Sequence, residues 1–193
     1  VAICDQLEDP KLTKGIVKRG VTELVTPGVA TSDKLLENKT NNFLAALHLG
    51  DQACGVAFLD ITTGEFYTAE GDMEYMDKLL QSFQPSEIIL SKSQVKRFRE
   101  YFDSRVYTFQ LDEWVFREQY CYELLLQHFQ TQSLKGYGVE DLKSAIIACG
   151  VALHYLKDTV HVQVQHINSL QSIVATDFLW WDCFTIRNLE LVH

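Results

Sequence analysis

Apolar and polar positions follow a strand-like pattern over residues 43–69. Residues 43–49 are apolar and end at a turn dipeptide, and residues 53–62 follow with apolar side chains on both faces. A strand that is apolar on both faces is typical of the middle of a covered sheet. Residues 65–69 follow a second turn dipeptide and are predicted to return as a third strand. The pattern therefore predicts a three-stranded meander.

Beyond this meander the apolar period changes from 2 to 3.6 residues, which indicates helices. Ser91 with Gln94 three residues later matches a capping box, so a helix is predicted to begin there. The predicted elements are helix 73–84, strand 86–90, helix 91–102, strand 105–111, helix 116–130 and helix 139–159. This order predicts an α/β ribonuclease-H-like domain, a five-stranded mixed sheet with flanking helices.

Changes in composition divide the chain into three parts. Residues 21–25 alternate like a half-buried strand and end at the Pro27-Gly28 break, so residues 1–27 are predicted to be the β tail of a preceding domain. Residues 28–160 contain a polar linker and the α/β domain. Residues 161–193 are too few to form a domain, and we expect them to be the first strand segment of the next one.

Charge separates the chain into a basic segment and an acidic body. Residues 1–26 are balanced in charge, so the net charge of −9 falls on the rest of the chain, which is a poor surface for nucleic acid. Lys14, Lys18 and Arg19 lie in a run that contains no acidic residue. They are the candidates for contact with DNA phosphates, and the alternative is an ordinary solvated loop.

Cysteine and histidine spacings indicate neither a metal site nor a nucleophile. The five cysteines form no CxxC pair, and an odd number argues against a disulfide framework, so we expect a reducing cytoplasm. The six histidines show no ligand spacing. The longest apolar stretch is about half of what a membrane span requires, and we expect no membrane partner.

Several segments, in order, resemble the MutS-type family of DNA mismatch-repair proteins. The similar segments are residues 1–6, 8–10, 14–19, 25–28, 42–46, 55–66, 85–89, 136–140 and 187–191. The resemblance covers nearly the whole chain, with departures at Gly20 and Ile186, where the family usually has charged residues. It implies the end of a mismatch-binding domain, a connector domain and the start of a core (lever) domain.

The resemblance also implies a function. The full-length protein would be a DNA-dependent ATPase that recognises mispaired duplex DNA, binds ATP and Mg²⁺, forms a homodimer and signals by conformational change. The pattern G-x-x-x-x-G-K-[ST] is absent from this sequence, so we expect no cofactor and no catalysis in this fragment. The connector would couple domains and dock a MutL-type partner.

Asp60 is the strongest candidate for a catalytic residue. Nucleases of the ribonuclease-H-like fold place an aspartate on the first long strand to bind Mg²⁺ or Mn²⁺, and Glu140 and Asp141 are the further carboxylates that could complete a two-metal site. The alternative is that Asp60 caps a turn and that the other two lie favourably at a helix N-terminus. We favour the second interpretation, because the family's connector is non-catalytic.

Helix 116–130 is the candidate partner surface. A polar stripe consists of Gln119, Glu123, Gln127 and Gln130, while Tyr120 and other apolar residues spread over more than one face. Such breadth indicates burial on two sides or an apolar strip left for a partner. We therefore name four docking candidates, which are Gln119, Tyr120, Glu123 and Gln127. The alternative is a helix that simply packs under the following core-domain segment.

Overall fold

The computed structural model describes residues 2–6, 19–24, 27, 42–102, 106–159 and 164–173. Near the start, β1 (Ala2–Gln6) and β2 (Arg19–Leu24) pair antiparallel. The strand predicted over residues 21–25 is confirmed, although it begins two residues earlier and ends one residue earlier.

Six strands form the main sheet. They are β3 (Phe43–Leu49), β4 (Cys54–Asp60), β5 (Phe66–Gly71), β6 (Glu87–Ser91), β7 (Tyr107–Leu111) and β8 (Gln171–Ser172). Their order across the sheet is β7-β6-β3-β4-β5-β8. The meander β3-β4-β5 is antiparallel, while β6 and β7 run parallel to β3. This mixed topology confirms the predicted α/β ribonuclease-H-like class.

Among the described residues, four α-helices cover the two faces of this sheet. They are α1 (Met73–Phe83), α2 (Val95–Tyr101), α3 (Glu118–Phe129) and α4 (Lys143–His154). Short 3-10 turns span Glu113–Phe116 and Lys135–Tyr137, and α4 continues into a π-helical turn, Tyr155–Thr159. The long final helix of the sequence prediction is therefore an α-helix of 12 residues with loops and a π turn at its ends.

The capping box predicted at Ser91 is wrong. Helix α2 begins at Val95, and its cap residue Gln94 makes no capping hydrogen bond through its side chain. Instead, the Gln94 amide pairs with the backbone of Leu49 at the end of β3, with both N···O distances 3.2 Å. The side chain therefore satisfies a neighbouring strand end, which a local motif cannot reveal.

Alternation along the strands divides the core into two layers. In β3, Leu44 and Ala46 face the side covered by α3 and α4, while Ala45 and Leu47 face the side covered by α1 and α2. Apolar residues on both faces are what a covered strand requires. Helix α4 thus packs directly on the central strands β3 and β4, while α3 packs on α4, and this arrangement positions the candidate surface.

The sheet has one strand more than predicted, because β8 adds to its edge. Gln171 and Ser172 pair in parallel with Tyr67 and Thr68 of β5. Val164, Ile167 and Leu170 are buried in the same core layer as α3 and α4. The domain boundary near residue 161 stays a prediction, but residues 164–173 pack onto this sheet.

Candidate docking surface and the carboxylates of the sheet

Asp60 is the last residue of β4 and is buried, with 2% of its surface exposed. Its Oδ1 accepts hydrogen bonds from the backbone N–H of Thr62 at 2.8 Å and of Thr63 at 3.3 Å. Its Oδ2 accepts one from the N–H of Asn42 at 3.1 Å. Three backbone donors therefore occupy this carboxylate, which is the geometry of a turn cap.

The structure does not bring Glu140 and Asp141 to Asp60. The hydroxyl of Ser144, in the first turn of α4, donates to the carbonyl of Ala53, which precedes β4, at 2.9 Å. The N-terminus of α4 thus lies over the start of β4, whereas Asp60 ends that strand. At about 3.3 Å per residue the strand ends lie roughly 20 Å apart.

Glu140 has other partners, and Asp141 is exposed. The N–H of Leu134 donates to Glu140 Oε2 at 2.8 Å, and the hydroxyl of Tyr122 donates to Oε1 at 3.1 Å. Within the described ranges no three His, Cys, Asp or Glu side chains are grouped to hold a metal ion. The two-metal nuclease arrangement is therefore not assembled by these residues.

Glu140 and Asp141 were predicted to lie favourably at the N-terminus of a helix. The N-terminus of that helix, α4, is instead capped by Glu70 on β5. Glu70 Oε2 accepts from the N–H of Ser144 at 2.7 Å and from that of Ala145 at 3.3 Å. A carboxylate at this position satisfies free N–H groups and the positive end of the helix dipole. Sequence reasoning missed Glu70 because it lies more than 70 positions before the helix.

Three of the four docking candidates lie on the exposed side of α3. Gln119, Glu123 and Gln127 are all exposed and recur every four residues, so they form one stripe along the helix. The side-chain amide of Gln119 donates to Glu123 Oε1 at 3.0 Å. The stripe is therefore a polar, solvent-facing surface with little charge.

Packing on several sides explains the apolar breadth of α3. Cys121 and Leu125 are buried. Helices α3 and α4 approach so closely that a Cβ built on Gly150 of α4 would clash with the Cβ of Cys121. At the other end, His128 Nε2 lies 2.8 Å from the carbonyl oxygen of Ile167. This end of α3 therefore contacts residues that follow α4 in the chain.

Tyr120, the fourth candidate, belongs to a cluster of rings between α3 and α4. Its ring contacts Trp114 at a centroid distance of 5.2 Å and His154 at 5.7 Å, both edge to face. Its hydroxyl lies 2.8 Å from His154 Nδ1, and Asp158 Oδ2 lies 3.1 Å from the same nitrogen. Burial lowers the pKa of His154, and Asp158 acts in the opposite direction.

Sequence reasoning did not single out Trp114, although 47% of its surface is exposed. Its 3-10 turn lay outside the predicted helix, so periodicity gave no signal for it.

Of the DNA-contact candidates, Lys14 and Lys18 lie outside the described residues. Arg19 begins β2, paired with Gln6.

No helix in the described ranges is both long enough and apolar enough to cross a membrane. The Fowlpox virus resolvase, solved with Holliday junction DNA, aligns with 59% of this chain and 98% of its own at 13% identity and a TM-score of 0.40. So distant a likeness supports no inference.

Comparison with known families gives a match over most of the chain. The family described as MutS domain II matches residues 42–168, and MutS domain I matches residues 1–34. DNA mismatch repair proteins MutS from Flavobacterium psychrophilum and Bacteroides thetaiotaomicron are each 57% identical to this chain, and that from Flavobacterium johnsoniae is 55% identical. The matches cover 100% of this chain and 22% of each relative. The chain therefore belongs to the MutS family.

Proposed function

We propose that this chain is the connector segment of a DNA mismatch-repair protein and that it acts without catalysis. Its family and the names of its relatives support repair of mispaired DNA. Because the chain spans 22% of the length of these relatives, we place ATP and Mg²⁺ binding, DNA-dependent ATPase activity and homodimerisation in parts outside it. The working compartment is the cytoplasm.

The specific role of the segment is to couple domains and to dock a MutL-type partner through α3. The observation that carries this proposal is the exposed stripe of Gln119, Glu123 and Gln127. Interfaces have few charges at their centre, and glutamine amides can pair with a partner without a large desolvation cost. The acidic body would also attract a basic partner from a distance.

The test is the double variant Gln119→Arg/Glu123→Arg in a full-length MutS protein that carries this segment. The fold should be retained, since changes at exposed sites usually cost under about 0.5 kcal/mol. Capture of a MutL protein from the same organism should weaken by about tenfold or more, because two cations enter a surface suited to neutral groups. Affinity is measured by surface plasmon resonance.

Helix α1 offers a matched control on the opposite face of the sheet. The Gln81 amide donates to Asp77 Oδ2 at 2.7 Å, which repeats the spacing and chemistry of the α3 pair. Asp77→Arg/Gln81→Arg should leave the affinity for MutL unchanged. If both double variants bind MutL like the wild type, α3 is not the docking site.

A nuclease function is not proposed, because no observed contact favours it. Asp60 is fully used as a turn cap, and Glu140 lies at the opposite end of β4.

A further inference from the structure

Trp114 is a large apolar side chain that the fold leaves open to solvent. It lies in the 3-10 turn Glu113–Phe116, whose next two residues, Val115 and Phe116, are buried. The turn is therefore held against the core while Trp114 remains 47% exposed. An exposed tryptophan on a fixed backbone is the kind of residue that carries most of the energy of an interface.

Neighbouring rings hold the indole in one orientation. Trp114 contacts Tyr120 at 5.2 Å and 66°, and His154 at 5.3 Å and 81°, both edge-to-face geometries. Tyr120 and His154 are in turn joined by the contact of 2.8 Å between the hydroxyl and Nδ1. A side chain already ordered before binding loses little rotamer entropy when a partner arrives.

A carboxylate stands beside this ring cluster. Asp158 Oδ2 is 3.1 Å from His154 Nδ1, yet 57% of the Asp158 side chain is exposed. The carboxylate is thus fixed by one contact and still available for a second. Other charges on the adjoining elements are Glu118, which is 3.8 Å from Lys143, and the side chains of Arg117 and Lys157.

A half-exposed tryptophan and a partly free carboxylate on the same ring cluster suit a guanidinium group. The planar cation can stack on the π face of tryptophan and donate hydrogen bonds to a carboxylate at the same time. A lysine ammonium lacks this planar fork, and an aliphatic side chain would leave the carboxylate without a partner. The chemistry of the cluster therefore selects arginine over the other anchors that a partner could present.

We propose that Trp114 is the anchor of the α3 docking surface and that it receives an arginine side chain of the partner, stacked on the indole and paired with Asp158. The proposal rests on the proposed docking function of α3, because Tyr120 links the ring cluster to the Gln119 stripe. It adds the residue that dominates the affinity and the chemical class of the group that it binds.

The test measures binding of a MutL protein to the full-length protein carrying Trp114→Ala, Trp114→Leu or Asp158→Asn. Trp114→Ala should weaken binding about 30-fold, as truncation of an interface anchor does. Trp114→Leu keeps an apolar group but removes the π face, and it should weaken binding nearly as much. Asp158→Asn should weaken binding by about threefold and make the affinity less sensitive to salt.

Tyr107→Ala is the matched control, since Tyr107 is 52% exposed and lies at the opposite end of β7 from the Trp114 turn. It should bind like the wild type. Full affinity in Trp114→Ala would contradict the proposal that Trp114 anchors the interface. Full affinity in Trp114→Leu would contradict the proposal that the partner presents a cationic group to it. If Gln119→Arg/Glu123→Arg abolishes binding while Trp114→Ala does not, the docking function stands and only this inference fails.

Discussion

Burial lowers the pKa of three histidines, His48, His128 and His154, below the usual 6.5. The unfolded chain takes up protons near pH 6.5, whereas the folded chain resists protonation at these sites. Their contribution to stability is therefore present above pH 6.5 and is lost as the pH falls through the lowered values.

We expect the free energy of unfolding to fall as the pH is lowered from about 7.5 to about 5. Urea denaturation across this range measures the slope. His154→Gln should reduce the slope, because it removes one of the three histidines whose protonation is disfavoured in the folded chain. An unchanged slope in this variant would show that His154 is protonated equally easily in both states.

Asp60 is a buried structural carboxylate and Asp141 is a solvent-exposed one, so their replacement should affect stability differently. Asp60→Ala leaves three backbone N–H groups without their acceptor, and it should cost about 1–3 kcal/mol of stability. Asp141→Ala, at an exposed position, should change stability by less than about 0.5 kcal/mol. Thermal unfolding compares the two.

A variant of Asp60 also tests the alternative that the chain is a metal-dependent nuclease. Labelled DNA incubated with this chain and Mn²⁺ should stay intact, because Asp60 already caps a turn. Cleavage by the wild type that disappears in Asp60→Asn would restore the two-metal interpretation.

At the scale of elements, the contact of α3 with α4 depends on Gly150. A Cβ at this position would lie 2.6 Å from Cys121 Cα, a backbone atom that cannot move without shifting the helix. Exchanging glycine for alanine inside a helix normally stabilises it by about 0.5–1 kcal/mol. Here the close approach reverses the sign.

We therefore expect Gly150→Ala to destabilise the fold by about 1–3 kcal/mol. Gly136→Ala is the control, since nothing lies within 4 Å of its added Cβ. It should be close to neutral. Chemical denaturation of both variants tests the prediction, and equal stabilities would mean that α3 can move away from α4 at no cost.

At the scale of the whole molecule, the acidic body and the basic run that contains Lys14, Lys18 and Arg19 predict different behaviour toward DNA. This chain alone should bind duplex DNA weakly and without preference for a mispair. The binding that exists should depend on Lys14, Lys18 and Arg19, and it should decrease steeply with salt, as phosphate contacts do.

Replacing these three residues with alanine should abolish the salt-dependent part of the binding in a fluorescence anisotropy titration. The matched control removes the exposed cations Lys78, Lys96 and Arg99 from the body and should have little effect. Tight, mismatch-selective binding by the wild type would contradict the prediction that this chain alone binds DNA weakly and without preference for a mispair.

The sequence by itself determined the class of the fold, because periodicity reports which sides of an element are buried. The apolar residues on both faces of β4 predicted a central strand, and β4 lies between β3 and β5. The helical spacing after residue 72 predicted α1, which spans Met73–Phe83. The similarity of segments in order predicted the family, and residues 42–168 match MutS domain II.

Only the tertiary structure decided which distant residues meet. It assigned Asp60 to a turn, capped α4 with Glu70 from another strand and brought Trp114 against His154. It also added β8 to the edge of the sheet, a strand that is too short to show a periodic pattern in the sequence. Local patterns specify the buried face of each element, whereas contacts across the fold depend on how elements pack, and that information is not periodic along the chain.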